Sequence, residues 1–425
     1  MTPSTFWLIT TGEPLPTDQG NPRLLRTGIL AETLVAKGAE VVWWTSSFNH
    51  ANKFKRHVSL HDLSRGERFQ IRLLNGISYP KNVSILRQIA NKQVAAAFKR
   101  EAKYAPRPDL IVCALPTLEL CRQATRYGEQ VGAPVLIDIR DLWPDIFLDV
   151  APDWARRPVR ALLNPMYSSA RKSLASAYGL IAVSQSYLDW GIAQTQRGLS
   201  SRDAVFPLGY RASHPPQSAL DRAQSALLAK GINPECRIFC FIGSFGHSYD
   251  LETVINAARQ LRHDGNKNLQ FVFAGEGEYG DRWRAMAEGL DNTKFVGWLD
   301  APGVMSLMQQ SVAGLLAYRT TAKQSLPNKL FEYMSAGLPV LSSLAGESTE
   351  VIRRSGCGLY YDSGDTQALI NSVLRLANDE KLRAEMSARC LTVFRRDYSA
   401  EKIYGQMAEF FDEIIQESSA RSTGN

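Results

Sequence analysis

Residues 312–342 read VAGLLAYRTTAKQSLPNKLFEYMSAGLPVLS. The segment opens with an apolar run, Val312–Ala317, of the length and composition of a buried strand. A polar loop follows, and Pro327 then begins a helical stretch that Gly337 ends. A second short apolar run, Pro339–Ser342, completes the segment. Strand, loop, helix and strand in this order form the repeating unit of a parallel sheet covered by helices, so the segment predicts an α/β fold.

The same alternation of short apolar runs with amphipathic stretches extends over most of the chain. In the first half it predicts the strands Phe6–Thr10, Glu40–Ser46, Asp109–Ala114, Pro134–Asp138, Leu180–Ser184 and Ala204–Leu208. In the second half it predicts Arg237–Ile242, Leu269–Ala274, Lys294–Gly297, Val312–Ala317, Pro339–Ser342 and Gly358–Tyr361. Helices are predicted between the strands, among them Arg23–Lys37, Val94–Tyr104, Leu251–Arg262 and Pro327–Ala336.

A polar, Pro-rich segment interrupts this alternation at residues 211–218, and 425 residues are enough for two domains. We predict a Rossmann-like domain over 1–209, a linker over 210–220, a second Rossmann-like domain over 221–397, and a helix with a frayed tail over 398–425. Two doubly wound domains joined in this way are expected to face one another across a cleft. Ligands should bind at the carboxyl ends of their strands.

Composition and charge narrow the class of protein. No apolar run approaches the roughly 18 residues of a membrane-spanning helix, and the first ten residues lack the basic start of a signal peptide, so we expect a cytoplasmic protein. Six cysteines without metal-ligand spacing predict reduced thiols and no structural zinc. Residues 1–209 hold 26 Lys and Arg against 17 Asp and Glu, and residues 53–107 hold 13 against 3. This basic face predicts an anionic partner, such as acidic lipid headgroups, a lipid diphosphate or nucleic acid, or else a solvated surface without a partner.

Two loops of the second half follow predicted strands and carry glycine. Gly243 permits close backbone approach to a phosphate, and Ser244 and His247 lie in the same loop. Gly275 and Glu276 follow the next strand, at the edge where a nucleotide base would lie. The alternative for both loops is a Gly-rich turn between strand and helix that binds nothing.

The segment around Pro327 gives the strongest indication of a nucleotide site. A helix that begins there offers free N–H groups to a diphosphate, and Lys329 and Glu332 share one face of that helix. Glu332 is placed to accept hydrogen bonds from the hydroxyls of a ribose, although a simple surface pair with Lys329 is the alternative. The binding residues predicted in this segment are Arg319, Lys323, Gln324, Pro327, Asn328, Lys329 and Glu332.

The first half offers two further candidates. Asp138, Arg140 and Asp141 directly follow a predicted strand, with Trp143 close behind. A carboxylate here would accept a hydroxyl proton while the indole stacks on a sugar, or the group forms a salt-linked turn at the sheet edge. The spacing is not the D-x-D of metal-dependent transferases, so we infer no metal. Gly20, in the loop after the first strand, lies near a helix start and would help to bind an anion, or the loop is structural.

Residues 327–340, PNKLFEYMSAGLPV, resemble the nucleotide-binding signature of the group 1 glycosyltransferases (glycosyltransferase family 4), which have the GT-B fold. The resemblance extends over nearly the whole chain and is also seen with bacterial enzymes that build polysaccharides on lipid carriers. It implies that the second domain binds a nucleoside-diphosphate sugar, with UDP-sugars favoured. It further implies that the first domain binds a saccharide or a polyprenyl-diphosphate-linked acceptor, and that the C-terminal helix crosses back to the first domain. Glu332 matches the glutamate that contacts the ribose.

The sequence departs from the family pattern at two places. The usual E-x7-E pair would put a glutamate at position 324, where this chain has Gln324. The usual Arg and Lys after the first strand of the second domain are absent, and Ser244, His247 and Asp250 are found in that loop. The residues expected to replace that diphosphate clamp are Arg319, Lys323 and Lys329.

The prediction is therefore a glycosyltransferase of cell-surface polysaccharide or lipopolysaccharide synthesis, with Asp138, Arg140, Asp141 and Lys329 as catalytic candidates. The resemblance implies retention of configuration without a metal or other cofactor, and we expect no nucleic-acid partner. The segment Trp154–Leu163, rich in arginine, predicts peripheral contact with the anionic inner face of the cytoplasmic membrane. The alternatives are a GT-B sugar-nucleotide epimerase and a non-catalytic partner protein on a degenerate transferase fold. A nicotinamide dehydrogenase is disfavoured because no G-x-G-x-x-G with a following acidic residue is present.

Overall fold

The structure, a computed structural model, describes residues 3–20, 22–50, 52–56, 62–64, 66–81, 84–149, 151–322 and 325–423. The chain divides into two compact units. The first comprises Met1–Pro207 together with Ile403–Asn425, and the second comprises Leu208–Lys402. Each unit is built on its own, mainly parallel, sheet.

The first unit holds ten of the described strands. They are β1 (Thr5–Ile9), β2 (Glu40–Ser46), β3 (Phe48–Asn49), β4 (Phe54–Lys55), β5 (Asp62–Ser64), β6 (Phe69–Leu74), β7 (Leu110–Leu115), β8 (Val135–Ile139), β9 (Gly179–Ala182) and β10 (Ala204–Val205). Eight of these form a sheet in the order β10-β9-β8-β7-β1-β2-β6-β5, in which β5 is antiparallel to β6, while β3 pairs with β4 in a separate ribbon. Because β1 has β2 on one side and β7 on the other, the chain winds outward from β1 in both directions.

The central strands of this sheet are buried along almost their whole length, as is typical of parallel sheets covered on both faces. The core against one face contains Trp7, Trp44 and Phe98. The ring centroids of Trp7 and Trp44 lie 5.0 Å apart, and Phe98 meets Trp44 edge-on at 5.2 Å. The described helices of the first unit's continuous segment are α1 (Arg26–Ala36), α2 (Ile85–Glu101), α3 (Leu118–Val131), α4 (Ile146–Asp149), α5 (Arg156–Leu162), α6 (Asn164–Ser176) and α7 (Gln185–Gln194).

The second unit has a six-stranded parallel sheet. Its described strands are β11 (Arg237–Ile242), β12 (Leu269–Ala274), β13 (Thr293–Gly297), β14 (Ser311–Leu316), β15 (Val340–Ser342) and β16 (Gly358–Tyr360). Their order is β13-β12-β11-β14-β15-β16, which is the order of a Rossmann domain. Along β11, Ile238, Cys240 and Ile242 belong to one apolar core, whereas Phe239 and Phe241 belong to another. The alternation shows that both faces of the sheet are covered.

The described helices of the second unit are α8 (Gln217–Ala229), α9 (Leu251–His263), α10 (Gly280–Met286), α11 (Ala301–Gln310), α12 (Asn328–Ser335), α13 (Glu347–Ser355), α14 (Thr366–Asn378) and α15 (Glu380–Val393). The last described helix is α16 (Ala400–Thr423), which belongs to the first unit from Ile403 onward. There the Phe411 ring lies 6.2 Å from Phe6, and Phe410 lies 5.5 Å from Phe206. No described helix has the length and apolar content needed to cross a bilayer.

The predicted α/β class with two doubly wound parallel sheets is confirmed, and each predicted strand is present to within three residues at either end. The prediction missed β6, because Gln70 and Arg72 interrupt its apolar residues. The prediction also placed the start of α2 nine residues too late. The helix begins at Ile85, where Ser84 caps it by accepting a hydrogen bond from the Arg87 N–H at 3.2 Å. The predicted 210–220 linker is wrong in its last four residues, because α8 begins at Gln217 directly after Pro216.

Candidate functional site

The topological switch point of the second unit is the natural position for a ligand site. β11 and β14 are neighbours in the sheet, but the chain continues from β11 to β12 on one side and from β14 to β15 on the other. The loops that follow β11 and β14 therefore diverge, and a crevice forms between them at the carboxyl ends of the strands. The loop after β11 contains Gly243. The chain after β14 leads into α12, whose first turn carries Lys329. Pro327, the residue before α12, has no side chain that can cap the first N–H groups of the helix.

Lys329 is the most unusual side chain of this crevice. The residue is only 7% exposed, yet its Nζ has no hydrogen-bond partner among the described residues. The ammonium group lies 3.6 Å from the centroid of the Phe241 ring and 4.3 Å from that of Tyr249. Gly243 has φ +151°, which favours glycine, and a Cβ there would lie 2.6 Å from the same Nζ, so the loop passes close to the lysine.

Burial lowers the pKa of Lys329 to about 7, although Glu332 and Cys240 favour the charged form. A buried ammonium normally has several hydrogen-bond acceptors, because desolvation without them is costly. Here the faces of Phe241 and Tyr249 supply cation–π contacts but no acceptor. An anionic oxygen in the crevice would supply what the lysine lacks.

Glu332 lies one turn farther along α12 and is half-buried. Its Oε1 accepts a hydrogen bond from the Tyr210 hydroxyl at 2.8 Å. Tyr210 was not singled out from the sequence, because 122 residues separate it from Glu332 and it lies in the segment predicted as a linker. The phenol orients the carboxylate by occupying one of its oxygen atoms.

The two glycine loops of the second unit pack directly on each other. Gly275 has φ +146°, and a Cβ there would come within 1.9 Å of the Gly243 carbonyl oxygen. Gly277 is equally constrained, with the Phe245 carbonyl oxygen 2.6 Å from its Cβ position. The Phe245 N–H also donates to the Glu276 carbonyl at 2.9 Å. Close backbone packing therefore accounts for these glycines, and any direct contact of Gly275 with a ligand stays a prediction.

Arg319 does not have the open position expected of a diphosphate clamp. Its guanidinium pairs with Glu252 at 3.0 Å and donates to the Tyr249 carbonyl at 3.0 Å. These partners hold the guanidinium in the ligand-free structure, and its binding of a diphosphate stays a prediction. Asp250, in the loop where the family pattern is broken, is buried and caps α9.

The other predicted residues of the second unit vary in exposure. Glu276 forms a 2.5 Å ion pair with Arg284, and Ser244, His247 and Asn328 are exposed at the carboxyl edge of the sheet. Lys323 and Gln324 lie outside the described residues, and their predicted roles stay predictions.

In the first unit, the predicted catalytic residues form a buried ion network. Asp138 is fully buried and accepts hydrogen bonds from Arg26 Nε at 2.8 Å and from Arg140 Nε at 2.7 Å. Arg140 also pairs with Glu13, which in turn accepts from the Thr27 N–H at 3.0 Å. Burial opposes ionisation of Asp138, but Arg140 and Arg26 outweigh it and lower its pKa.

The expectation that Asp138 accepts a proton from a substrate hydroxyl is therefore wrong. Its oxygens are occupied by two arginines, and its lowered pKa makes it a poor base. Arg140 is likewise committed to Asp138 and Glu13, and this matches the salt-linked turn that the sequence left as the alternative. Sequence reasoning missed Glu13 and Arg26, because 112 residues separate Arg26 from Asp138.

Two predicted residues of the first unit remain at the surface of its carboxyl edge. Asp141 is half-buried, and its Oδ1 accepts from the Leu142 N–H at 2.9 Å. Gly20 is exposed, with φ +84° and no atom within 4 Å of a Cβ position. The loop that contains Gly20 is anchored by the ion pair of Asp18 with Arg56 at 2.6 Å.

Comparison with known proteins bears on both units. Residues 228–390 match the family described as "Glycosyl transferases group 1". N-acetyl-alpha-D-glucosaminyl L-malate synthase of Bacillus anthracis is 24% identical over 190 residues, which cover 44% of this chain and 48% of that protein. An Escherichia coli K12 protein provisionally described as the colanic acid biosynthesis glycosyl transferase WcaI is 23% identical over 332 residues, 73% of this chain and 77% of its own.

Among solved structures, Anabaena Alr3699/HepE in complex with UDP aligns with a TM-score of 0.65 at 16% identity, over 96% of this chain and all of that one. The match to the first curated relative spans about half of that relative's length. The fold of the second unit, its switch-point crevice and the match of residues 228–390 to the glycosyl transferases group 1 family agree with one another.

Proposed function

We propose that this protein is a glycosyltransferase that moves a sugar from a nucleoside-diphosphate sugar, with UDP-sugars favoured, to a saccharide or lipid-linked acceptor. The second unit binds the donor and the first binds the acceptor. The reaction belongs to the synthesis of a cell-surface polysaccharide or lipopolysaccharide. It proceeds with retention of configuration and without a resident metal ion.

The observation that carries the proposal is the buried Lys329 ammonium, which has no hydrogen-bond acceptor among the described residues. It lies where a Rossmann sheet binds ligands, and the first N–H groups of α12 lie beside it in the chain. A diphosphate would provide acceptors for both groups. The UDP in the Anabaena structure supports a uridine nucleotide as the first donor to test.

The chemistry follows from where charge develops. When the glycosidic bond to the donor phosphate breaks, positive charge builds on the sugar and negative charge on the departing diphosphate. A preorganised ammonium in a buried crevice stabilises that negative charge more strongly than water does. Glu332, oriented by Tyr210, is placed one turn away to accept hydrogen bonds from the ribose hydroxyls. Lys329 therefore acts on the leaving group, and Glu332 fixes the nucleoside.

The surface of the first unit supports a membrane-associated acceptor. Trp154 is 84% exposed and Leu162 is 79% exposed, on a segment that also presents Arg156, Arg157 and Arg160 to solvent. Exposed Trp and Leu beside arginines are typical of surfaces that bind anionic bilayers. We propose peripheral contact of this segment with the inner face of the cytoplasmic membrane.

The test is a panel of UDP- and GDP-sugars scored by the thermal unfolding of the purified protein, with NAD and ATP as controls. A donor at one hundred times its Kd should stabilise the protein by about 2.7 kcal/mol. Glu332→Ala should remove this stabilisation, whereas Glu288→Ala, at an exposed position of the same unit, should retain it. A protein that responds to no sugar nucleotide, or equally to NAD, would contradict the proposal. Conversion of the bound donor to its epimer without an acceptor would identify an epimerase instead.

A further inference from the structure

The first unit also contains a cluster of basic and aromatic side chains to which no role has yet been assigned. It contains His50, Lys53, Tyr79 and Arg87. His50 and Lys53 follow β2, Tyr79 follows β6, and Arg87 lies in the first turn of α2. Because β2 and β6 are parallel neighbours, all four residues come after the carboxyl edge of the sheet.

Direct contacts hold the cluster together. His50 Nδ1 and the Tyr79 hydroxyl share a 2.7 Å hydrogen bond, and Lys53 Nζ lies 5.2 Å from the centroid of the Tyr79 ring. The Arg87 guanidinium carbon lies 4.7 Å from the centroid of the Trp143 ring, and Arg87 also hydrogen-bonds the Tyr79 phenol. Tyr79 thus joins three basic side chains that come from two separate segments of the chain, one after β2 and one at the start of α2.

The cluster carries more positive than negative charge. Burial, Arg87 and Lys53 lower the pKa of His50 to about 4, and burial and Arg87 lower the pKa of Lys53. The carboxylate that acts on Arg87 is Asp141. The positive charges of Lys53 and Arg87 repel each other, and an anion bound between them would relieve this repulsion.

The position of the cluster is that of a ligand site. A Cβ at Gly12, in the loop after β1, would lie 3.6 Å from His50 Cβ, so the cluster borders the loop at the switch point between β1 and β7. Lys53 has φ +56°, a conformation that is costly for a residue other than glycine and is common at functional sites.

Exposed apolar residues adjoin the cluster along the chain, and we call them its apolar rim. Phe54, next to Lys53, is 43% exposed, and Ile85 and Leu86, just before Arg87, are 80% and 45% exposed. Exposed apolar side chains beside a cationic cluster fit an anionic group attached to an apolar chain.

We propose that His50, Lys53, Tyr79 and Arg87 form a phosphate-binding subsite that holds the phosphate or diphosphate group of the acceptor. The assignment to an acceptor rests on the proposed transferase function, whereas the anion site itself does not. A lipid headgroup and a soluble sugar phosphate present the same chemistry to these side chains, and the apolar rim favours the lipid.

The test is calorimetric titration of the full chain with inorganic pyrophosphate, in the presence of saturating UDP to fill the second unit, or without UDP if UDP does not bind. Arg87→Gln should weaken pyrophosphate binding on the order of tenfold or more. Arg100→Gln, an exposed arginine on the same helix α2, should leave binding unchanged. Lys53→Gln provides a second variant, and circular dichroism checks that each variant is folded.

The pattern across variants separates the two proposals. Loss of pyrophosphate binding in Arg87→Gln with retention in Lys329→Met supports the subsite, whether or not UDP binds. Equal binding by the wild type, Arg87→Gln and Lys53→Gln overturns it. Sedimentation with phosphatidylcholine vesicles containing phosphatidic acid then distinguishes the sources. Co-sedimentation that depends on Arg87 indicates a lipid-borne phosphate, and pyrophosphate binding without it indicates a soluble acceptor.

Discussion

Replacement of Lys329 with methionine would remove a buried ammonium while keeping a side chain of similar length. In the ligand-free protein this group is only 7% exposed and has no acceptor among the described residues. Its pKa falls from the ordinary value of 10.5 to about 7 because of burial. We therefore expect Lys329→Met to raise the free energy of unfolding of the ligand-free protein, not to lower it.

The magnitude and its pH dependence follow from proton linkage. Between pH 7 and 10.5 the unfolded chain holds the lysine proton more tightly than the folded protein does, so the stability of the wild type rises with pH across this window. Below pH 7 the full penalty is present, and the shift corresponds to about 5 kcal/mol. Removing the charge should therefore stabilise the methionine variant by up to about 5 kcal/mol below pH 7.

The assay is urea unfolding of the wild type, Lys329→Met and the exposed control Lys381→Met at pH 6 and pH 9.5. At pH 6 the urea concentration at the midpoint of unfolding should be higher for Lys329→Met than for the wild type. The difference between the two midpoints should be smaller at pH 9.5. Lys381→Met should follow the wild type at both values. A Lys329→Met protein that is less stable at pH 6, or a gap independent of pH, would refute the reasoning. The same variant should lose its affinity for a sugar nucleotide, because stability and function conflict at this residue.

Three other substitutions separate structural from functional roles. Asp138→Asn should lower the free energy of unfolding by about 3–5 kcal/mol, because two buried arginines lose the carboxylate that neutralises them. The affinity of the second unit for UDP should not change. Chemical unfolding and a UDP titration measure the two quantities, and a variant as stable as the wild type would argue against the ion network. Gly275→Ala should lower the free energy of unfolding by at least about 2 kcal/mol, because the new Cβ would clash with the facing loop. Gly289 also has a positive φ but lies in open space, so Gly289→Ala should lower it by about 1 kcal/mol. Equal destabilisation of the two variants in thermal unfolding would contradict this prediction. Tyr210→Phe should weaken UDP binding by up to about tenfold, since one hydrogen bond to Glu332 is lost, and calorimetry should show a larger loss for Glu332→Ala; no loss for Tyr210→Phe would remove the phenol from the site.

The sequence was sufficient for the order of strands and helices because buried strands and amphipathic helices leave a clear apolar pattern. It was insufficient for β6, in which Gln70 and Arg72 alternate with apolar residues and the surrounding segment is strongly basic. The basic composition suggested a surface, although Ile71 and Leu73 are buried. Alternation over six residues is a weak signal, even though Gly66 precedes this segment and Asn75-Gly76 follows it.

The sites were predictable only where their residues are close in sequence. Lys329 and Glu332 were found because they are three residues apart on one helix next to its proline start. The two rings that enclose the lysine come from β11 and the loop after it, and no local pattern links them to α12. The partners of Asp138 likewise lie far along the chain, so its burial between two arginines depends on tertiary packing.

The most direct test of the central claim, that Lys329 binds the donor diphosphate, is the number of protons taken up when a sugar nucleotide binds. With a pKa of about 7 the lysine is about half protonated at pH 7, and an adjacent diphosphate should complete its protonation. A UDP-sugar is the suitable ligand because its esterified diphosphate does not titrate near pH 7, unlike the terminal phosphate of UDP. Calorimetry at pH 7 in two buffers of different ionisation enthalpy should give an uptake of about half a proton for the wild type and none for a Lys329 variant that still binds. Binding with no proton uptake by the wild type, or with equal uptake by both proteins, would contradict the account.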